Sequence, residues 1–304
     1  MRNSGSLLRV ASLLLLVGSG AAGVGRAQTA ISVTDTTGWN PWTTDGSTVM
    51  TDAPDDQQTG QGQDDFVGDA TYYAFAQKAG TIGGTDHIAF QARMNTYSNK
   101  GFAGMLSTGI DLDGDGDLDL MMQADAKSST KGVRFAAPGT DLNNSPSTSS
   151  WGTWSTPTGT MVFDSSDYSY AQTTLSNFDA TPDALVTFAV SFADLQWGIR
   201  TYATSIPNYT TFTLSYTTKM SFVGFTTTQG NSINQDMAGA PQISSGTTTT
   251  FAQLGGITPL QDAYGIVPEP STYAQVGALL SVGALVWWRR RKGQPAGKAG
   301  RARG

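Results

Sequence analysis

The chain has 304 residues, one His and no Cys, which excludes disulfides, thiolate zinc, thiol nucleophiles and a lipoprotein cysteine, and argues against a His-rich metal site. Only 14% of residues are charged and 36 are Gly, a composition that favours a turn-rich β protein over a helical bundle. Residues 28–267 hold 8 Lys/Arg against 23 Asp, a net of −15, which repels nucleic acid and anionic lipid and excludes nucleic-acid binding.

In chain order, residues 1–27 come first. Arg2 and Arg9 precede an apolar run, Val10–Gly20, and small residues lead to a cut after Ala27. That order of basic, apolar and small residues is a secretory signal peptide, and the apolar run is too short for an ordinary spanning helix. Residues 28–265 are then expected to fold as one secreted, β-rich ectodomain, with 28–62 and 244–264 as partly ordered edges or linkers. Asp52, Asp55, Asp56, Asp64 and Asp65 lie among Gln and Gly. This stretch reads as a solvated loop in preference to a second calcium site.

Period-2 patterning of apolar residues predicts strands at 87–94, 185–192, 211–216 and 220–225. Phe192–Trp197 reads as a short helix with Ser191 and Asp194 as a capping pair. Loops rich in Pro, Gly, Asn and Ser cover 139–146 and 155–159. No repeat of 20–50 residues is visible, which disfavours a propeller or solenoid. The fold class predicted is all-β: a single β-sandwich of jelly-roll type. His87 sits in a strand pattern and reads as structural. No Gly-x-Ser-x-Gly elbow accompanies it.

One internal motif carries chemistry. Asp111-Leu112-Asp113-Gly114-Asp115-Gly116-Asp117-Leu118-Asp119 has a carboxylate at every second position. Calcium takes six to eight hard oxygen ligands in a flexible loop. The alternation turns Asp111, Asp113 and Asp115 toward a common centre, Gly116 permits a sharp turn, and Asp117 can offer its backbone carbonyl. Asp119 can bind directly or through water, and Leu118 points back into the fold. The pattern resembles the first nine positions of an EF-hand-type loop, but Met122 stands where the bidentate acid belongs. The flanks, 105–110 and 118–123, read as strands. The motif is therefore more similar to the strand–loop–strand calcium loop of FG-GAP/VCBS-type repeats. That resemblance implies a structural Ca2+ at this loop and not a propeller. The alternative is an acidic, solvated hairpin tip.

Trp151 and Trp154 flank a Gly-Thr step in a loop-rich region and are candidates for glycan contact, although core or edge packing is the usual role of such rings.

At the far end, Pro268-Glu269-Pro270 is followed by an apolar stretch, Ala274–Trp288, and a basic cluster, Arg289, Arg290, Arg291 and Lys292. Fifteen helical residues cover about 22 Å, against roughly 30 Å of hydrocarbon, so the helix is a poor permanent anchor. The basic cluster should stay cytoplasmic, with residues 294–304 forming a basic cytoplasmic tail. Residues 266–293 resemble the PEP-CTERM protein-sorting signal. The resemblance implies processing by a membrane-embedded exosortase near the Pro-Glu-Pro motif, transient residence in the inner membrane, and sorting to the outside of a Gram-negative bacterium, often one that makes exopolysaccharide. It is silent on the ectodomain. Three roles remain open. The favoured one is a non-catalytic surface or extracellular-matrix protein of the exopolysaccharide or biofilm layer. The others are a carbohydrate-binding adhesin and a secreted, Asp-based glycan hydrolase.

Overall fold

The computed structural model describes residues 29–58, 62–95, 102, 104–128, 131–139, 141–157, 168–172, 183–230 and 232–265. The expected signal peptide, the Pro268-Glu269-Pro270 motif and the Arg289–Lys292 cluster lie outside the described residues. No helix among the described residues is long and apolar enough to cross a membrane.

Two five-stranded antiparallel sheets form the body, as an all-β chain requires. Strands are numbered in chain order. The first sheet contains β1 (Asn40–Pro41), β2 (Phe75–Ile82), β3 (Thr85–Met94), β7 (Tyr168–Gln172) and β8 (Ala184–Ser191), in the order β1-β2-β3-β8-β7. The second contains β4 (Met105–Asp111), β5 (Leu120–Asp125), β6 (Gly132–Ala136), β9 (Ser221–Thr227) and β10 (Asp236–Met237), in the order β10-β9-β4-β5-β6. The chain completes three strands in one sheet, three in the other, then returns twice in pairs. Successive strands do not alternate between sheets as they do in a jelly roll.

The sheets face each other across an aromatic core. Phe75, Ile88, Phe90 and Phe188 of the first sheet meet Leu106, Ile110, Leu120, Met122 and Phe222 of the second. Phe90 lies 5.3 Å from Phe188 within its own sheet and 5.5 Å from Phe222 across the gap, centroid to centroid. Trp42 stacks on Phe75 at 4.0 Å and on Phe222 at 5.7 Å, so one indole from the segment after β1 joins the two layers. Its Nε1–H donates to Gln77 Oε1 at 2.9 Å, and Gln77 Nε2 donates in turn to the carbonyls of Asp262 and Ala263. The end of the described chain is thereby pinned to β2.

Both outer faces are covered as well. Ala76, Ala89 and Ala189 are small enough to admit Ile31, Val33 and Trp39 over the first sheet. Met121, Val223 and Phe225 of the second sheet lie under Trp151, Ile233, Ile243 and Phe251. This explains why most strand residues are buried regardless of parity, where a half-exposed sheet would alternate. It also corrects the expectation for 28–62 and 244–264. The described residues of these segments pack against the sheets, Trp42, Met50 and Ala263 in the core between them and Phe251 over the second sheet, all four fully buried.

Helix α1 (Phe192–Tyr202) is longer than expected and starts as predicted, Ser191 accepting the Asp194 N–H at 3.0 Å. Phe192, Leu195 and Ile199 follow helical spacing and enter the core. The expected strand at 211–216 is absent. Its backbone is claimed by α1 instead: Gln196 Oε1 accepts the Leu214 N–H at 2.9 Å, and Arg200 Nε donates to the Phe212 carbonyl at 2.7 Å. A β-alternating segment without a free sheet edge beside it cannot form a ladder.

Gly224 is where the two aromatic layers approach β9. A Cβ there would sit 2.6 Å from Phe75 Cε2 and 3.0 Å from Trp42 Cζ3. The Gly224→Ala variant is therefore expected to lose about 1–3 kcal/mol of stability, read as a lower urea midpoint at unchanged slope. An unaltered midpoint would show that the rings relax without cost.

Candidate metal centre

The acidic motif forms the tip of the β4–β5 hairpin. Asp111 closes β4 and pairs with Ser221, while Asp119 N–H donates to the Ile110 carbonyl at 2.8 Å. The tip is built by carboxylates capping backbone N–H groups. Asp111 Oδ1 accepts from Gly114 N at 2.6 Å and Asp113 N at 3.2 Å, and Asp111 Oδ2 accepts from Gly116 N at 3.0 Å. Asp113 Oδ1 accepts from Asp115 N, and Asp115 Oδ1 from Asp117 N. Gly114 and Gly116 hold φ of 81° and 93°, the left-handed turns that fold the loop back on itself.

Asp111, Asp113 and Asp115 converge. Each offers one carboxylate oxygen within 4.8 Å of the others. Ligands on opposite sides of a calcium ion stand roughly 4.6–5.2 Å apart, so these three oxygens fit one coordination sphere. Asp111 is buried at the root, whereas Asp113 and Asp115 are exposed. Asp117 and Asp119 stand outside that trio. Asp119 is buried with both oxygens engaged, Oδ2 by the Leu112 N–H at 2.8 Å and Oδ1 by the Ser205 hydroxyl. It holds the loop's two ends together. Leu118 is buried among Met121, Trp151 and Phe225, and Met122 lies in the inter-sheet core.

Burial, with mutual repulsion adding to it, is written into the loop's protonation. Burial raises the Asp111 carboxyl above its ordinary range, against backbone donors from Gly114 and Gly116, and the charges of Asp115 and Asp113 push the same way. Burial also lifts Asp119 to about 6, with Asp113 and Asp111 adding to the rise. Asp117 is raised by burial and by Asp115.

The second acidic stretch is not a solvated loop. Asp52, Asp64 and Asp65 are at most 6% exposed, and Asp236 of β10, fully buried, joins them. Asp52, Asp56 and Asp236 each bring an oxygen within 4.8 Å of the others. The sequence offered no local signal for Asp236, which sits in no motif. It reaches this place through the β9–β10 pairing, where it opposes Thr226.

Trp151 and Trp154 meet edge to face, centroids 5.6 Å apart and planes 62° from parallel. Both indole N–H groups donate to the Gly230 carbonyl. Trp151 is buried against Phe225, and the Arg134 guanidinium lies 5.0 Å from the Trp154 ring centre. These two rings pack against the protein and do not present coplanar faces to a sugar. His87 is also in place as a structural residue: it is buried on β3, and its Nδ1 lies 2.8 Å from the Thr85 carbonyl.

No protein-family model, curated protein or solved structure matches this chain.

A pH dependence follows from these carboxylates. Asp56, Asp64 and Asp119 are each raised to about 6, chiefly by burial. A carboxylate with a raised folded pKa binds its proton more tightly folded than unfolded, so stability falls as pH rises between the two values. In chelator, the melting temperature should therefore fall as pH rises from about 4 through about 6, and go on falling above that as Asp52 and Asp236, which burial raises further, lose their protons. A melting temperature that climbs steadily across that range would refute the assignment.

Proposed function

We propose that the protein is exported, sorted through its PEP-CTERM-like tail by an exosortase, and used outside a Gram-negative cell as a non-catalytic, calcium-stabilised surface or matrix component. Exopolysaccharide is the partner that this address implies. The tail reading rests on sequence alone: Pro268-Glu269-Pro270, a short apolar stretch and the Arg289–Lys292 cluster, in fixed order. The ectodomain reading is carried by one observation, the convergence of Asp111, Asp113 and Asp115 at a hairpin tip built from strand, loop and strand. Three hard oxygens in one sphere suit calcium, and the loop's partly exposed face leaves room for water ligands.

Sorting is tested in the producing cell. Replacing Pro268, Glu269 and Pro270 by Ala in the full chain should leave it unprocessed and held at the inner membrane. Normal release of that variant would overturn the sorting reading.

Calcium is tested on the purified full chain. A ligand present at 100 times its Kd stabilises the folded state by about 2.7 kcal/mol, or roughly 5–10 °C for a fold of this size. Asp113→Asn with Asp115→Asn should remove the loop's share of the calcium-dependent rise. A rise of full size in that double variant would take the loop out of the proposal.

A further inference from the structure

The side of the sandwich bordered by the short edge strands β1 and β10 is closed by the segment that joins β1 to β2. Backbone pairs lay that segment down. Asp52 and Gly68 exchange N–H···O bonds of 2.9 and 3.0 Å, Asn95 N–H reaches the Asp65 carbonyl at 2.9 Å, and Thr226 Oγ1 donates to the Asp64 carbonyl at 2.5 Å. The segment thereby touches the last residues of β3 and the last residues of β9. Four carboxylates, Asp52, Asp56, Asp65 and Asp236, are gathered underneath it.

Each of the three buried members is fixed through backbone donors. Asp52 Oδ2 accepts from Gly239 N at 2.6 Å. Asp236 Oδ2 accepts from Phe66 N at 2.6 Å, and its Oδ1 from Met237 N at 2.7 Å. Asp65 Oδ2 accepts from Asp55 N at 2.8 Å and from Asn95 Nδ2 at 2.6 Å. Asp55 adopts φ of 64° to deliver that N–H, and the same turn places Asp56.

The remaining oxygens have no donor. Asp52 Oδ1, Asp56 Oδ1 and Asp65 Oδ1 are all shielded from solvent without a hydrogen-bond partner, as is Gln57 Oε1 beside them. Asp65, fully buried, lies close enough for its charge to act on Asp52, Asp56 and Asp236. Among the described residues, no Lys, Arg or His is ion-paired with any of the four. An unpaired buried carboxylate is strongly disfavoured, and Asp52 and Asp65, each with one oxygen held and the other open, are oriented as neighbouring groups orient metal ligands.

We propose that Asp52, Asp56 and Asp236, with Asp65 beside them, form a second and buried calcium site that ties the β1–β2 segment to the edge of the second sheet. The donor set is oxygen only, which suits a hard divalent cation and not zinc or copper. The 4.8 Å limit on oxygen separations among Asp52, Asp56 and Asp236 fits calcium–oxygen distances. This site does not depend on the Asp111–Asp119 loop. The register separates the two, since Asp111 faces Ser221 at one end of β9 and Asp236 faces Thr226 near the other.

The test is calcium binding to the purified full chain by equilibrium dialysis at neutral pH, with thermal unfolding alongside. Wild type should bind two ions. Asp113→Asn with Asp115→Asn should leave one ion, and that variant should still melt higher with calcium than with chelator. Adding Asp56→Asn to that background should weaken the remaining site by about tenfold or more. Asp56 is half-buried, so this change is the one least able to unfold the protein; Asp52→Asn with Asp236→Asn should abolish the site if it folds. A single ion lost through Asp56→Asn, and untouched by the loop substitutions, would keep this proposal and sink the loop reading. No ion bound by the loop variant, or binding and melting indifferent to Asp56→Asn, would overturn the buried site and leave a cluster neutralised by protons.

Discussion

Most buried negative charge in this protein has no positive charge beside it. Among the described residues eight Asp are buried: 52, 64, 65, 111, 119, 125, 183 and 236. Two have basic partners, Asp125 with Arg134 at 2.9 Å and Asp183 with Arg93 at 3.2 Å. The rest are held by backbone N–H groups, the Asn95 amide and the Ser205 hydroxyl, with the Lys127 charge acting on Asp64, and some oxygens have no donor. The composition is in keeping with this, since 8 basic residues are set against 23 Asp between 28 and 267. Holding carboxylates inside against that imbalance is the constraint around which both ends of the second sheet are arranged. One backbone N–H and the Ser205 hydroxyl suffice for Asp119, whose oxygens are both engaged. Such donors do not suffice in the β1–β2 segment, where four carboxylate oxygens, those of Asp52, Asp56, Asp64 and Asp65, have no donor.

The core solves a separate problem and does so conventionally. Phe, Trp, Ile, Leu and Met fill the gap between the sheets, and Trp42 is shared by both. Yet the core and the acidic segment are not independent. Trp42 and Met50, both fully buried, are joined by the N–H of Met50 donating to the Trp42 carbonyl. Asp52 lies two residues beyond. The strand of chain that drives the indole between the sheets therefore carries the carboxylates in with it. Apolar burial supplies the force, and the acids are positioned by it.

What could be read in advance follows from range. Strands β3, β8 and β9 and the cap of α1 are local patterns, and they appear where alternation and the Ser191–Asp194 pair put them. The Asp111–Asp119 hairpin tip is local too, since its donors and acceptors lie within a few residues of each other. Strand β2 was invisible because Phe75–Ile82 contains Lys78, two Ala and Gly80, and its place is set by pairing with β3 along its whole length. The 211–216 segment misled for the opposite reason: its alternation is genuine, but side chains of α1, Gln196 and Arg200, take up its backbone groups. The acidic stretch at 52–65 misled most. Its composition is that of a solvated loop, and its burial is decided by contacts such as Phe66 N with Asp236 Oδ2, 170 positions apart.

Calcium at the two acidic sites would act on the same sheet from opposite ends. At the hairpin tip it would relieve repulsion among exposed carboxylates, a modest gain that salt also provides in part. Beneath the β1–β2 segment it would replace missing donors in a region shielded from solvent, where the electrostatic benefit is larger and screening is weaker. The buried ion is thus the one whose loss should loosen the fold more, because no basic side chain among the described residues is ion-paired with Asp52, Asp56 or Asp236. With an ion bound there, the chain would gain stability by mass action once free calcium exceeds the site's Kd. If the chain is exported as proposed, to surroundings richer in calcium than the cell interior, both sites would fill there, and the exported form would be the more stable one.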